Sequence, residues 1–240
     1  MKDDIRDQIA ITIDIDWVAD EIIRYTVDLL EKYQVKVTFF ATHSSNYLKT
    51  LDSSRYEIGL HPNFEQNNDY NKTIKVLKDL YPEAVGIRSH CLLTSGPLLQ
   101  LFIDTGFSYE ANAFIPLVSS LRPYRCLNKL VSIPCYWGDD YHYLAGFDFE
   151  LSLLGVNNPG LKVYMFHPIH IFANTNSDSH YVSFKQYLKN PELLQKYRHT
   201  GTGIGTLFEQ LLRHISDNKL ANYTCKEIYE AYIAGDRAQD

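Results

Sequence analysis

Two aspartates, Asp14 and Asp16, interrupt the apolar end of a β-type run in the stretch ITIDIDWVAD. Successive side chains alternate between the two faces of a strand, so these carboxylates are expected to point the same way. Two carboxylates on one face repel each other unless a cation separates them or one of them binds a proton. A metal ion bound by Asp16, with Asp14 free as a base, would satisfy both groups. The alternative is that one aspartate caps the following helix while the other is solvated.

Basic side chains follow three further β-type runs. EIGLHPNFEQN places His61 after a strand, GIRSHCL supplies Arg88 and His90, and MFHPIHIFANT supplies His167 and His170. A single histidine is usually structural, but the position of His61 at a strand end, like that of the aspartates, favours metal ligation. Imidazole and carboxylate together suit zinc or a related divalent ion with one coordination position open to water.

The elements that carry these residues alternate between strand and helix periodicity. The sequence predicts strands over 9–15, 35–41, 56–60, 84–88, 130–137 and 161–167. It predicts helices over 19–34, 70–80, 95–106, 205–217 and 225–234. This alternation implies βαβ units and a parallel sheet covered by helices. The carboxyl ends of such strands share one edge, where active sites form, and the candidate residues all lie at strand ends.

Length and charge limit the class of protein. The chain has 240 residues, enough for one α/β domain over 1–240, and its formal charge of −6 argues against nucleic-acid binding. The amino-terminal stretch has no long apolar segment, and no run reaches the length of a membrane span. The four cysteines show no CxxC spacing, which favours reduced thiols. We therefore expect a cytoplasmic enzyme.

The order of six segments resembles the polysaccharide deacetylase family, also called the NodB-homology family or carbohydrate esterase family four. The segments are TIDID, VTFF, EIGLHPNF, GIRSH, IPCYWGDD and FHPIH, and the resemblance spans residues 9–175. The HPNF, RSH and HPIH variants are most similar to a divergent branch found in bacterial surface-polysaccharide gene clusters. The resemblance implies a distorted (β/α) barrel with about seven parallel strands.

The resemblance also implies roles for single residues. It makes Asp14 the general base, Asp16 and His61 metal ligands, Arg88 the ion-pair brace of Asp14, and His167 the general acid. These assignments come from matching positions in the family's motifs.

One position departs from the family pattern. The second motif normally offers two histidines four residues apart, but Glu65 follows His61 at that spacing. Either Glu65 or His90 would complete the metal site, and we expect His90, because Glu65 lies in the polar stretch EQNND.

Four residues near the carboxyl ends of the later strands leave alternatives open. His170 is the second candidate for the general acid. Either Asp139 or Asp140 would be the acidic partner of that histidine. Trp137 would form a wall for a sugar ring or fill the mouth of the barrel.

The resemblance predicts a metal-dependent hydrolase that removes an N-acetyl group from an amino sugar, in a polysaccharide or its precursor. Zinc is the favoured metal, with cobalt or manganese as alternatives. Two other functions remain open: hydrolysis of another non-peptide C–N bond on the same fold, and a catalytically inactive scaffold protein. Glu65 in place of the second histidine supports the scaffold.

Overall fold

A computed structural model describes residues 7–65, 69–127 and 129–236, which form nine strands and nine α-helices. The strands are β1 Ile9–Asp14, β2 Val37–Ala41, β3 Tyr56–Leu60, β4 Gly86–Ile87, β5 Tyr109–Glu110, β6 Tyr124–Leu127, β7 Leu130–Ser132, β8 Trp137–Gly138 and β9 Lys162–Phe166. The helices are α1 Asp20–Tyr33, α2 Tyr70–Leu80, α3 Gly96–Asp104, α4 Asp139–Leu144, α5 Pro168–Ala173, α6 Asp178–Phe184, α7 Pro191–Gln195, α8 Ile204–Asp217 and α9 Cys225–Asp236.

The strands form one curled sheet in the order β6-β7-β5-β4-β3-β2-β1-β9-β8. All neighbours pair in parallel except β6 and β7, which are antiparallel. β1 lies between β2 and β9, so the candidate residues that follow it have strand ends on both sides. The predicted α/β class with a parallel sheet is confirmed.

The segment 130–138, of which 130–137 was predicted as one strand, contains the two short strands β7 and β8. β7 pairs with β5, whereas β8 pairs with β9. Between them, the Cys135 amide donates to Ala113 (2.7 Å) and the Tyr136 amide to Val163 (2.9 Å), while Pro134 has no N–H to donate. The segment thus crosses from one edge of the sheet to the other. If β7 and β8 are counted as one strand and β6 is left out, the sheet closes into a distorted ring of seven parallel strands.

Apolar side chains on both sides of the sheet hold this ring together. Every residue of β1, β2 and β9 is buried. α1 covers the outer face with a stripe of fully buried side chains at helical spacing, namely Ile22, Ile23, Val27 and Leu30. This rigid core fixes where each strand ends.

Two further expectations bear on the environment of the protein. Within the described part of the chain, no helix combines the length and apolar character that crossing a bilayer requires. The four cysteines are free thiols, of which Cys135 and Cys225 are buried.

Candidate active site

The carboxyl ends of five strands bring the candidate residues to one edge of the barrel. β1 ends at Asp14, and one residue follows each of β3, β4, β8 and β9 directly: His61, Arg88, Asp139 and His167. Because β3 and β4 lie on one side of β1 and β8 and β9 on the other, these side chains converge from both directions. The predicted cluster at the strand ends is therefore present.

A left-handed turn directs Asp16 into the centre of this edge. Asp16 and Trp17 have φ values of 32° and 57°, a conformation that costs a non-glycine residue about 1–2 kcal/mol. The Trp17 amide donates to the Thr42 hydroxyl oxygen at 3.0 Å, which holds the turn. The residue at the amino-terminal cap of α1 is Ala19, without a side-chain hydrogen bond, so the alternative that an aspartate caps this helix is wrong.

Asp16 and His61 face each other as two acceptors. His61 Nδ1 lies 2.8 Å from the Arg88 carbonyl oxygen and must donate to it, so in the neutral imidazole Nε2 is an acceptor. That Nε2 lies 3.3 Å from Asp16 Oδ1, a buried oxygen with no hydrogen-bond partner. An orphaned buried carboxylate oxygen opposite an imidazole lone pair is unfavourable unless a cation lies between them. This carboxylate oxygen and imidazole nitrogen therefore fit as ligands of a divalent metal ion.

The structure brings His90, rather than Glu65, to this pair. His90 Nδ1 lies 3.4 Å from His61 Nε2 and 3.7 Å from Asp16 Oδ1. The Trp17 ring packs edge-on against the His90 ring, with centroids 5.0 Å apart. Glu65 is exposed and groups instead with His90 and Cys91, whose Sγ lies 3.9 Å from Glu65 Oε2.

Arg88 holds Asp14 beside this centre. The Arg88 side chain is fully buried, and its NH1 group donates to Asp14 Oδ1 at 2.8 Å and to the Thr12 hydroxyl at 2.9 Å. Asp14 Oδ2 lies 3.8 Å from His61 Nε2. Loss of either member of such a buried pair costs about 3–5 kcal/mol, since it leaves an unpaired charge. This is the arrangement expected of a base and its brace.

Two contacts of Arg88 were not foreseen from the sequence. Thr12 lies two residues before Asp14 on the same strand face, a spacing that could have indicated it. Arg88 NH2 also donates to Cys135 Sγ at 3.1 Å. That contact forms because segment 130–138 crosses between β5 and β9 and brings Cys135 next to Arg88. The sequence carries no signal for this crossing.

His167 and Asp139 form a second ion pair on the other side of Asp16. Asp139 Oδ1 lies 2.8 Å from His167 Nδ1, and Asp139 Oδ2 accepts the His167 amide at 2.6 Å. This fixes the imidazole so that Nε2 lies 3.6 Å from Asp16 Oδ2. Of the two sequence candidates, Asp139 is therefore the residue that partners His167.

Nearby charges set the protonation of these groups. Burial by itself raises the pKa of Asp16, but the surrounding imidazoles of His61, His90 and His167 hold it well below its ordinary value. Burial likewise lowers the pKa of His167, yet the carboxylates of Asp139 and Asp140 raise it well above its ordinary value. His167 is consequently a proton donor at neutral pH.

The remaining candidates lie outside the centre. His170 is buried and its Nε2 lies 3.0 Å from Asp140 Oδ1, so it does not face Asp16 as His167 does. Trp137 is fully buried and packs at a tilt against Phe166, with ring centroids 4.8 Å apart. The alternative of a sugar-binding wall at Trp137 is therefore wrong. Its ring does not fill the mouth of the barrel either, because it packs beside Tyr164 and Phe166 on the helix-covered side of the sheet.

Comparison with known proteins shows that the chain is similar to structures of polysaccharide deacetylases. A crystal structure from Bordetella bronchiseptica, described as a polysaccharide deacetylase (WbmS) involved in O-antigen biosynthesis, shares 32% sequence identity and a TM-score of 0.81. The alignment covers 87% of this chain and 91% of that chain. A comparison with curated proteins finds no match.

Two more distant structures share the fold alone. The peptidoglycan N-acetylglucosamine deacetylase Bc1960 is 15% identical, with a TM-score of 0.56 over 94% of this chain and 89% of that chain. The peptidoglycan deacetylase PdaC from Bacillus subtilis is 10% identical, with a TM-score of 0.55 over 98% and 95%.

The family model that matches is the WbmS-like polysaccharide deacetylase, over residues 11–185. The match covers most of the chain and includes all the residues that converge on Asp16. The chain belongs to the polysaccharide deacetylase family, in its WbmS-like group.

Proposed function

We propose that this protein is a metal-dependent deacetylase that removes the N-acetyl group of an amino sugar. The observation that carries the proposal is the environment of Asp16 Oδ1, a buried oxygen without a hydrogen-bond partner that lies 3.3 Å from His61 Nε2. Asp14 Oδ2 lies 3.8 Å from His61 Nε2, and His167 Nε2 lies 3.6 Å from the other carboxylate oxygen of Asp16. A cation site flanked by a base and an acid suits hydrolysis of an amide.

Asp16, His61 and His90 would hold the metal ion. Their candidate ligand atoms lie within 4.8 Å of one another, and a carboxylate with two imidazoles matches the ligands of zinc in hydrolases. A bound zinc ion supplies Lewis acidity, which polarises the acetamide carbonyl and makes water more acidic. Cobalt or manganese would serve the same role.

Asp14 acts as the general base. It accepts the proton of the attacking water, and Arg88 keeps the carboxylate in place through their 2.8 Å hydrogen bond. Because Arg88 is itself anchored on Thr12 and on the Ala111 carbonyl oxygen, Asp14 has little freedom to turn away.

His167 acts as the general acid. An amine is a poor leaving group unless it is protonated, so the tetrahedral adduct would otherwise expel water again. His167 donates this proton from Nε2, and the Asp139 carboxylate at Nδ1 stabilises the imidazolium before transfer. The raised pKa of His167 keeps the proton available at neutral pH.

We propose that the substrate is an N-acetylated sugar in a bacterial surface polysaccharide or, more specifically, in its nucleotide- or lipid-linked precursor. Support comes from the Bordetella relative, which is described as taking part in O-antigen biosynthesis. The free thiols of all four cysteines are consistent with action in the cytoplasm.

The main rival is an inactive relative that retains the barrel as a scaffold. Glu65 in place of the family's second histidine favours it. Against it, His90 Nδ1 occupies a position 3.7 Å from Asp16, which restores a third candidate ligand.

Acetate release tests the proposal. The zinc-loaded protein is incubated with UDP-N-acetylglucosamine and with N-acetylglucosamine oligomers, and acetate is measured against an Asp14→Asn variant loaded to the same zinc content. We expect wild-type turnover and a loss of about 10²–10⁴-fold in the variant. Equal rates in both proteins would refute the role of Asp14, and no acetate with zinc, cobalt or manganese would favour the scaffold.

A further inference from the structure

A second carboxylate–imidazole pair lies directly beside the general acid. His170 Nε2 lies 3.0 Å from Asp140 Oδ1, and the Tyr143 hydroxyl donates to the same oxygen at 2.6 Å. The other nitrogen of His170, Nδ1, lies 3.0 Å from the Thr175 hydroxyl. His170 and Thr175 are buried, whereas nearly half of the Asp140 side chain is exposed. The proposed mechanism uses none of these groups.

This second pair is built on the same two elements as the first. Asp139 and Asp140 open α4 directly after β8, while His167 precedes α5 and His170 lies within it. Ligand atoms of all four side chains lie within 4.8 Å of one another. The two carboxylate–imidazole pairs therefore tie α4 to α5 at two neighbouring points.

The pairs are also joined through the backbone. The Asp140 amide donates to Asp139 Oδ1 at 2.9 Å, and that oxygen is the one that partners His167 Nδ1. A shift of residue 140 therefore changes a hydrogen bond to the oxygen that orients the general acid. Asp140 provides a negatively charged partner for His170. Burial raises the pKa of Asp140, but the imidazoles of His167 and His170 have the larger effect and hold this pKa well below its ordinary value.

We propose that the Asp140–His170 pair is a latch that positions the His167–Asp139 pair for proton donation. Asp140 and His170 are positioning residues, because they act through His167 and Asp139. The inference rests on the proposed function in one respect, the role of His167 as general acid. Each member of the latch has one further hydrogen-bond partner, Tyr143 for Asp140 and Thr175 for His170.

The proposal predicts a dependence on the leaving group that a general structural role would not produce. Cleavage of an amide needs a proton on the departing nitrogen, whereas p-nitrophenolate leaves an ester without one. Loss of the latch should therefore impair amide hydrolysis and spare hydrolysis of an activated ester. A loosened fold would impair both reactions together.

The kinetic test uses zinc-loaded His170→Ala, His170→Gln and, as a control distant from the site, His214→Ala. Acetate release from tri-N-acetylchitotriose reports the amide reaction, and p-nitrophenyl acetate reports the ester reaction. We expect His170→Ala to lower kcat for the amide about 10–100-fold and for the ester less than about 3-fold. Gln retains a side-chain N–H donor to Asp140, so His170→Gln should recover most of the amide activity. Parallel losses in both reactions, or no loss in either, would overturn the latch.

A second measurement does not depend on activity. In histidine-labelled protein, the His167 Nδ1–H proton should give a low-field NMR line because it is bonded to Asp139. We expect this line to broaden or shift in His170→Ala and to return in His170→Gln, with zinc stoichiometry unchanged. An unaltered line in His170→Ala would overturn the proposal even if the wild type deacetylated none of the sugars, an outcome that would instead count against the proposed function.

Discussion

Two partly buried carboxylates lie at opposite ends of the same barrel and have opposite environments. Glu57, near the amino end of β3, accepts hydrogen bonds from the Tyr109 hydroxyl (2.6 Å), the Thr38 hydroxyl (2.8 Å) and the Lys226 amide (2.8 Å). Asp16, beyond the carboxyl end of β1, has an oxygen that no donor contacts, although its side chain is only 22% exposed. Glu57 is satisfied by the protein itself, whereas Asp16 is not.

The two groups also titrate in opposite directions. Burial raises the pKa of Glu57, since its neutral donors compensate only in part. The pKa of Asp16 is held well below its ordinary value, because three imidazoles outweigh its burial. A buried carboxylate thus indicates a binding site when its environment is electropositive and its acceptor oxygen lacks a donor. A buried carboxylate with a full set of donors indicates a structural role.

The largest effect is expected when the charge of each of these two carboxylates is removed in turn. Asp16→Asn should lower zinc affinity about 100-fold or more, a change of at least ~2.7 kcal/mol, because an amide is a much weaker ligand than a carboxylate. Glu57→Gln is the matched control and should leave zinc affinity unchanged within about 2-fold. Zinc titration by calorimetry measures both, and equal affinities for Asp16→Asn and the wild type would contradict the assignment.

A second pair of variants sharpens which side chains belong to the centre. His90→Ala should weaken zinc binding about 10–100-fold, that is by ~1.4–2.7 kcal/mol, since its Nδ1 lies near Asp16 and His61. Glu65→Ala should have little effect, because Glu65 is exposed and lies with Cys91 rather than Asp16. The reverse ranking of the two affinities would make Glu65 the third ligand.

The next largest effect is the pH dependence of zinc affinity, because protons compete with zinc for His90. The Asp16 carboxylate raises the pKa of His90 above its ordinary value of 6.5, against the effect of burial. Zinc binds only the neutral imidazole, so binding must release this proton. Zinc affinity should therefore fall as the pH is lowered through the raised pKa, beginning above pH 6.5. His90→Ala should show a shallower dependence on pH, and an equally steep one would exclude His90 as the competing group.

The smallest expected effect is the contribution of Glu57 to the pH dependence of folding stability. Because its pKa is raised on folding from an ordinary value of 4.5, the folded protein binds this proton more tightly. The resulting stabilisation is complete below pH 4.5 and is lost as the pH rises through the raised pKa. Glu57→Gln cannot ionise and should lack this slope, with a change of about 1 kcal/mol or less at low pH. Urea unfolding over a pH series measures it, and an unchanged slope would assign the titration to another group.

The sequence predicted the parallel sheet and the convergence of its strand ends for a physical reason. Hydrophobic periodicity locates strands, and the carboxyl ends of parallel strands share one edge. This placed Asp14, His61, Arg88 and His167 together before any contact was known. The same reasoning cannot rank residues that compete for one place, and the choice of Asp139 over Asp140 depends on the rotation of α4.

Other features depended on which strands become neighbours. The latch of Asp140 and His170 requires β8 to lie beside β9, and the bond from Arg88 to Cys135 requires segment 130–138 to cross between β5 and β9. No local pattern encodes either pairing. The burial of Trp137 likewise depends on the pairing of β8 with β9, because its ring packs against Tyr164 and Phe166.

The most direct test of the central claim is an anomalous difference map, at the zinc edge, from crystals of the zinc-loaded protein. Three groups of side chains in the described part of the chain could hold an ion: Asp16 with His61 and His90; Asp139 and Asp140 with His167 and His170; and Glu65 with His90 and Cys91. We expect the principal peak between Asp16, His61 Nε2 and His90 Nδ1. A principal peak at either of the other groups, or no peak at Asp16, would contradict it.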